Sequence, residues 1–186
     1  MGVCEDLVAA LRRRGETVAV CESLTGGLAS AMLVDVPGAS AVLRGGLITY
    51  ATDLKHTLAG VDEEILATHG PVSPECATAM AEGVRQVCGS DWAVALTGVA
   101  GPEPQDGHPV GEVWIGFADP TGWSGAIRAC PQHHHQWVLQ RGYSKPVPVI
   151  AGNRAEIRSI AARFAWHTLL GVLEELSREQ IDGFNR

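Results

Sequence analysis

The chain has no C-x-x-C pair, and its five cysteines, Cys4, Cys21, Cys76, Cys88 and Cys130, are odd in number and widely spread. Such spacing argues against a disulfide frame or a zinc site and fits scattered buried thiols in a reducing compartment. No apolar run approaches the ~18 residues that would span a bilayer. There is no internal repeat. Basic residues are short as well: Lys+Arg 14 against Asp+Glu 21 leaves a net charge of -7. The average field therefore repels phosphate backbones, which disfavours generic nucleic-acid binding but still allows a local basic pocket for one small anion. The opening MGVCEDLVAALRRRG sets acids before the apolar stretch and bases after it, the reverse of a secretory leader. The expectation is a soluble, cytoplasmic protein with no membrane and no nucleic-acid partner.

What is present is the composition of a folded domain, 46% hydrophobic and 19% charged over 186 residues, which rules out disorder as the main state. A length prior of roughly 150 residues per domain leaves no room for two full catalytic domains. We read residues 1–186 as a single domain with a long loop or insertion at about 131–150, where PQHHHQWVLQRGYSKPVPVI has no period and carries three prolines.

Cys4, Leu7, Val8 and Leu11 recur at helical spacing and end in Arg12–Arg14 and Gly15, a basic last turn with a glycine stop. TVAVC (17–21) and DWAVALTG (91–98) read as buried strands, GGLITY (45–50) as a further strand, and EVWIGFAD with WSGAIRAC as an antiparallel pair turned at Pro120-Thr121-Gly122. Helices are expected after Thr25, around DLKHTLAG, from Ser73 with Pro74 in the first turn, and from about Arg154 to Leu176. The last carries Ile157, Ile160, Ala161, Phe164, Thr168, Leu169, Val172, Leu173 and Leu176 as its apolar stripe. Strands alternating with helices give an α/β class, a three-layer α/β/α sandwich on a mixed sheet.

Ligands of open α/β sheets bind outside the carboxyl ends of the strands. Those ends hold Glu22-Ser23-Leu24-Thr25-Gly26-Gly27, then Tyr50 with Lys55 a turn later, then Thr97-Gly98-Val99-Ala100-Gly101-Pro102. A serine at a helix start has backbone N–H groups beside it that can hold an oxyanion or phosphate, but it needs a base. Only His56 and His69 are near these loops in sequence, which turns attention to Lys55, a base if burial or a nearby cation keeps it neutral. Each residue has a plainer use: Ser23 and Thr25 as helix caps, Lys55 as a solvated side chain, Tyr50 as a core ring with a wet hydroxyl, TGVAGP as a turn.

Taken in order, AVCESLTGGLAS, PGAS-x-x-x-RGGLITYATDLKHTLAGV, HGPVSPECATAMAEGV, ALTGVAGP, PVGEVWIGFA and GNRAEIR resemble the CinA C-terminal domain family, whose members are nicotinamide-nucleotide amidases. The resemblance runs over about residues 5–130 and resumes at GNRAEIR. It implies hydrolysis of the carboxamide of nicotinamide mononucleotide to nicotinate mononucleotide and ammonia, without metal or organic cofactor. It further implies Ser23 as nucleophile, Lys55 as base, Tyr50 as a proton relay or orienter, and Ser40, Thr97 and Arg154 as further site residues. Amides of Thr25, Gly26 and Gly27 would meet the oxyanion, Gly98 and Gly101 would shape the substrate site, and Arg154 would pair with the 5′-phosphate. The insertion leaves Arg141 as an alternative or supplement to Arg154. His133, His134 and His135, consecutive and without a nearby carboxylate or cysteine, make a poor metal set. The family also implies a homo-oligomer, most simply a dimer. The competing class is a non-catalytic nucleotide-binding or regulatory domain tied to competence or DNA damage.

Overall fold

The computed structural model describes residues 2–140 and 142–184, with side chains in the last helix described through Arg178. Arg141, the alternative anion ligand, lies outside the described residues. Five strands form one mixed sheet in the order β2-β1-β3-β4-β5: β1 (Val18–Glu22), β2 (Leu43–Ile48), β3 (Trp92–Gly98), β4 (Val113–Ala118) and β5 (Ser124–Arg128). β1 is parallel to both β2 and β3, while β3–β4 and β4–β5 are antiparallel. Among the described residues six helices cover it: α1 (Val3–Arg14), α2 (Leu28–Val34), α3 (Thr52–Ala59), α4 (Glu63–His69), α5 (Pro74–Cys88) and α6 (Arg154–Phe184). This is the expected three-layer α/β/α sandwich.

The alternation of side chains along each strand separates two unlike cores. One face presents Val18, Val20, Trp92, Val94, Leu96, Ile115 and Phe117 to α1, α2 and α6. The other presents Ala19, Cys21, Ala93, Ala95 and Ala118 to the layer of α3, α4 and α5. Small residues there allow α5 to lie close: a Cβ on Gly116 would overlap the Ala77 carbonyl oxygen, and one on Gly83 would overlap that of Ala59. α1 ends at Gly15, whose φ of 67° permits the left-handed stop. α5 begins as read, with Ser73 Oγ accepting from Cys76 N at 3.1 Å and Pro74 in the first turn.

Three local readings change. α2 starts at Leu28 with Gly27 at its cap, so Thr25 lies before the helix and caps nothing. The segment 131–150 carries a two-stranded antiparallel ribbon, β6 (His135–Val138) with β7 (Val147–Ile150). Its alternation is hidden because Val147, Val149 and Ile150 are buried on neighbouring positions while Trp137 and Leu139 are exposed. In α6 the buried stripe turns through Ala165 and Trp166, leaving Phe164 and Thr168 half-buried and Val172 partly exposed. Among the described residues no helix is long and apolar enough to cross a membrane.

Candidate active site

Because β2 and β3 lie on opposite sides of β1, the chain leaves β1 toward one layer, through α2, and reaches β3 from the other, through α5. The carboxyl ends of β1 and β3 thus open a crevice at the point where the strand order reverses. A pocket of about 170 Å³ occupies it, lined by Ser23, Tyr50, Lys55, Thr97, Gly98, Gly101 and Arg154 among others. Leu24, Thr52, Pro71, Val72, Glu103 and Gln105 complete much of the wall.

Lys55, on the second turn of α3, is 1% exposed. Its Nζ lies 3.0 Å from Ser23 Oγ and 2.8 Å from the Thr49 carbonyl oxygen. Neither partner carries charge, and no carboxylate pairs with Lys55 among the described residues. Burial therefore pushes its ammonium below the usual lysine value. Its titratable neighbours Cys21 and Cys76 are buried thiols pushed up to about 11 by the same loss of solvent, so they remain protonated near neutrality. In this geometry Nζ donates to both Ser23 Oγ and Thr49 O.

Ser23 itself is 8% exposed and stands between two fixed points. Its amide donates to Leu96 O on β3, and its carbonyl accepts from Gly26 N. The carboxylate of Glu22, the last residue of β1, reaches over α2's first turn and accepts from Gly27 N, Ala29 N, Ser30 N and Ser30 Oγ at 2.6–3.0 Å. A buried carboxylate is stable there because it meets four donors and the positive end of the helix. This corrects the expected oxyanion cradle: the Gly26 and Gly27 amides are already engaged, and neither glycine lines the pocket. The amides of Leu24 and Thr25 have no acceptor among the described residues. Thr25 Oγ1 is buried and unpartnered.

The remaining positions divide. Arg154 Nη1 donates to Gly101 O at 2.6 Å and Nη2 to the Tyr50 hydroxyl at 2.9 Å, which puts all three on one wall of the pocket. Tyr50 is 58% exposed, and its hydroxyl is engaged with Arg154. Thr97 Oγ1 donates to Pro71 O at 2.6 Å, leaving its oxygen free to accept. Gly98, with φ of 159°, sits where a Cβ would overlap Glu112 O. Ser40 is not brought to this site: it is exposed on the 3-10 turn Ala39–Ala41, ahead of β2 and hence at the amino ends of the strands. The PGAS segment reverses the chain between α2 and β2, and that reversal falls at the far end of the sheet. In the histidine run, His135 Nδ1 pairs with Pro131 O at 3.0 Å, and His133 and His134 are exposed. Among the described residues no three His, Cys, Asp or Glu side chains converge.

A mixed α/β sandwich with a buried Ser–Lys pair at its strand-order switch defines the class of protein. The model of the CinA C-terminal domain matches residues 2–145, and the chain belongs to that family. It is 54% identical over 112 residues to a CinA-like protein of Frankia casuarinae, covering 60% of this chain and 26% of that one. It is 47% identical over 132 residues to a CinA-like protein of Synechocystis, covering 68% and 32%. A competence-damaged protein (CinA) superfamily structure from Klebsiella pneumoniae superposes with TM-score 0.80 at 28% identity, over 93% of this chain and 96% of that one. The chain spans about a third of the length of the curated relatives it matches.

Proposed function

We propose that the chain hydrolyses the carboxamide of nicotinamide mononucleotide to nicotinate mononucleotide and ammonia by Ser–Lys catalysis. The observation that carries this reading is the 3.0 Å contact between Lys55 Nζ and Ser23 Oγ, with no carboxylate paired to Lys55 among the described residues. A solvated or salt-bridged lysine would hold its proton and serve no base function.

Ser23 Oγ bonds to the amide carbon as its proton passes to Lys55 Nζ, giving a tetrahedral oxyanion and a lysine ammonium. The unengaged amides of Leu24 and Thr25 are the donors for that oxyanion, in place of Gly26 and Gly27. Lys55 returns the proton to the departing nitrogen, the C–N bond breaks, and ammonia leaves an acyl-serine ester. Water then attacks the ester with Lys55 taking its proton, and collapse of the second tetrahedral species frees the carboxylate and restores the Ser23 hydroxyl. Thr97, through its free lone pair, orients the amide nitrogen. Arg154 supplies positive charge for the 5′-phosphate, and Tyr50 steadies that arginine.

The test is ammonia and nicotinate mononucleotide release from nicotinamide mononucleotide by chelator-treated protein, beside Ser23→Ala and Lys55→Ala. Turnover by the wild type that both substitutions abolish is the expected result. A folded wild type that binds the nucleotide without turnover would return the protein to the class of binding or regulatory domains. Replacing Arg154 with Met is expected to raise KM by about 10- to 100-fold, the value of one charge-assisted hydrogen bond, with a smaller change in kcat.

A further inference from the structure

α6 carries two arginines one helical turn apart, and each directs its guanidinium at backbone carbonyls of a pocket loop. Arg154 takes the loop after β3, as described above. Arg158 takes the loop after β1: its Nε donates to Leu24 O at 2.9 Å and its Nη2 to Thr25 O at 2.7 Å. No carboxylate pairs with Arg158 among the described residues. Gly26 lies beside it, with φ of 57° and its would-be Cβ 3.7 Å from Arg158 Nη2. A side chain at position 26 would be strained in that conformation, while its Cβ would sit in ordinary contact with the guanidinium.

The two carbonyls belong to the two residues that follow Ser23. One rigid, planar fork on consecutive carbonyls fixes both peptide planes, which a flexible lysine ammonium does less well. The Leu24 carbonyl shares its peptide unit with the Thr25 N–H, so a cation on that oxygen polarises the unit and strengthens the N–H as a donor. The Leu24 and Thr25 amides are the two in this turn that have no acceptor, whereas those of Gly26 and Gly27 are taken up by Ser23 O and Glu22. The turn is therefore held from two sides, by an anion on the helix start and a cation on the carbonyls.

We propose that Arg158 is a positioning residue for acyl transfer. It holds the Leu24–Thr25 and Thr25–Gly26 peptide units so that the Thr25 N–H is set as an oxyanion donor beside that of Leu24, whose own unit is held by Gly26 N on Ser23 O, and it touches neither substrate nor Lys55. This rests on the amidase reading above.

The experiment measures kcat, KM and the pH dependence of kcat with nicotinamide mononucleotide for wild type, Arg158→Ala and Arg158→Lys, with free guanidinium at low millimolar concentration as the rescue probe. Arg158→Ala is expected to lose about 100-fold in kcat, as loss of an oxyanion donor does, with KM within about twofold, and to regain part of that loss with guanidinium but none with sodium. Arg158→Lys is expected to fall between the two and, if the alanine variant does not fold, carries the test alone. The lower pH inflection is expected to be unchanged in both, because Lys55 is untouched. An active wild type with unchanged kcat in the folded variants overturns the Arg158 role and leaves the amidase reading standing, as does a kcat loss accompanied by a shifted inflection. A wild type silent on the nucleotide overturns both.

Discussion

Lys55 and Glu112 are each 1% exposed, yet they are buried in opposite ways. Both oxygens of Glu112 are filled: Oε1 accepts from Arg128 at 2.7 Å and Trp114 Nε1 at 3.0 Å, and Oε2 accepts from Gln140 at 2.8 Å and faces His108 Nδ1 at 3.0 Å. Arg128 in turn lies over the rings of Trp114 and Tyr143. That carboxylate ties β4, β5 and the loop before β4 to the residues between β6 and β7. Lys55 has one carbonyl and one hydroxyl, both neutral. A buried charge that is fully partnered is a fastener, while one left without a countercharge is pressed toward its neutral form and becomes available for proton transfer. Chemistry belongs where partners are withheld.

The widest separation should come from substitution. Ser23→Ala and Lys55→Ala are each expected to lower amide hydrolysis by roughly 1,000-fold or more, and the double variant no further than either single one, since the two act as a unit. Lys55→Arg should be as inactive, because a guanidinium keeps its proton; a fully active Lys55→Arg enzyme would break the contrast. Next in size, Glu112→Ala should destabilise the fold by about 3 kcal/mol in urea unfolding, since it takes the countercharge from a largely buried Arg128 side chain. Lys55→Met should instead raise stability near neutral pH by about 1 kcal/mol or more, as it removes an unpaid desolvation cost.

Acidity sharpens the same point. With the native Lys55 value lowered by burial, the unfolded chain binds the extra proton between that value and the ordinary ~10.4. Stability contributed by wild-type Lys55 relative to Lys55→Met should therefore rise as pH climbs through that window and level off above it. Urea midpoints of both proteins across the range would read it, and kcat should rise with pH through the lower edge. A flat difference would mean that Lys55 titrates like a free side chain. The smallest effect is at Thr25, whose buried hydroxyl has no partner. Thr25→Val keeps the shape and should gain about 1 kcal/mol in unfolding free energy.

The layers of the fold were legible because each rests on a repeated local signal. Strand β3 is a solid apolar run, α5 announces itself with Ser73 and Pro74, and α1 ends on a basic turn and Gly15. The ribbon of β6 and β7 was not, since its burial follows contact with Gly111 and Arg128 rather than an alternation within 131–150: Ile150 N donates to Gly111 O, and Arg128 meets Gln140. At the site, Ser23, Tyr50, Lys55, Thr97, Gly98, Gly101 and Arg154 converge on one pocket because a motif at a strand end lands at the mouth of the sheet whatever its neighbours do. Ser40 shares a motif-like string but closes a turn at the other end. Glu22 and Arg158 were missed as holders of the serine turn. A carboxylate that ends a strand five residues before a glycine cap is a signal for the first. Nothing local marks the second, which acts across 134 and 133 residues of chain.

The close seating of α5 sets a limit on how this chain can drift. At Gly83 and Gly116 the space for even one methyl group is filled by the backbone of a neighbouring element, so a randomised library at those two positions, sorted for folded protein, should return glycine almost alone. The opposite face, made of interlocking Val, Leu, Ile and Trp, should return many combinations of similar volume. Relatives can therefore diverge on the bulky side of the sheet while the side that carries Lys55 stays nearly fixed in size, for a reason of backbone spacing that has nothing to do with the reaction.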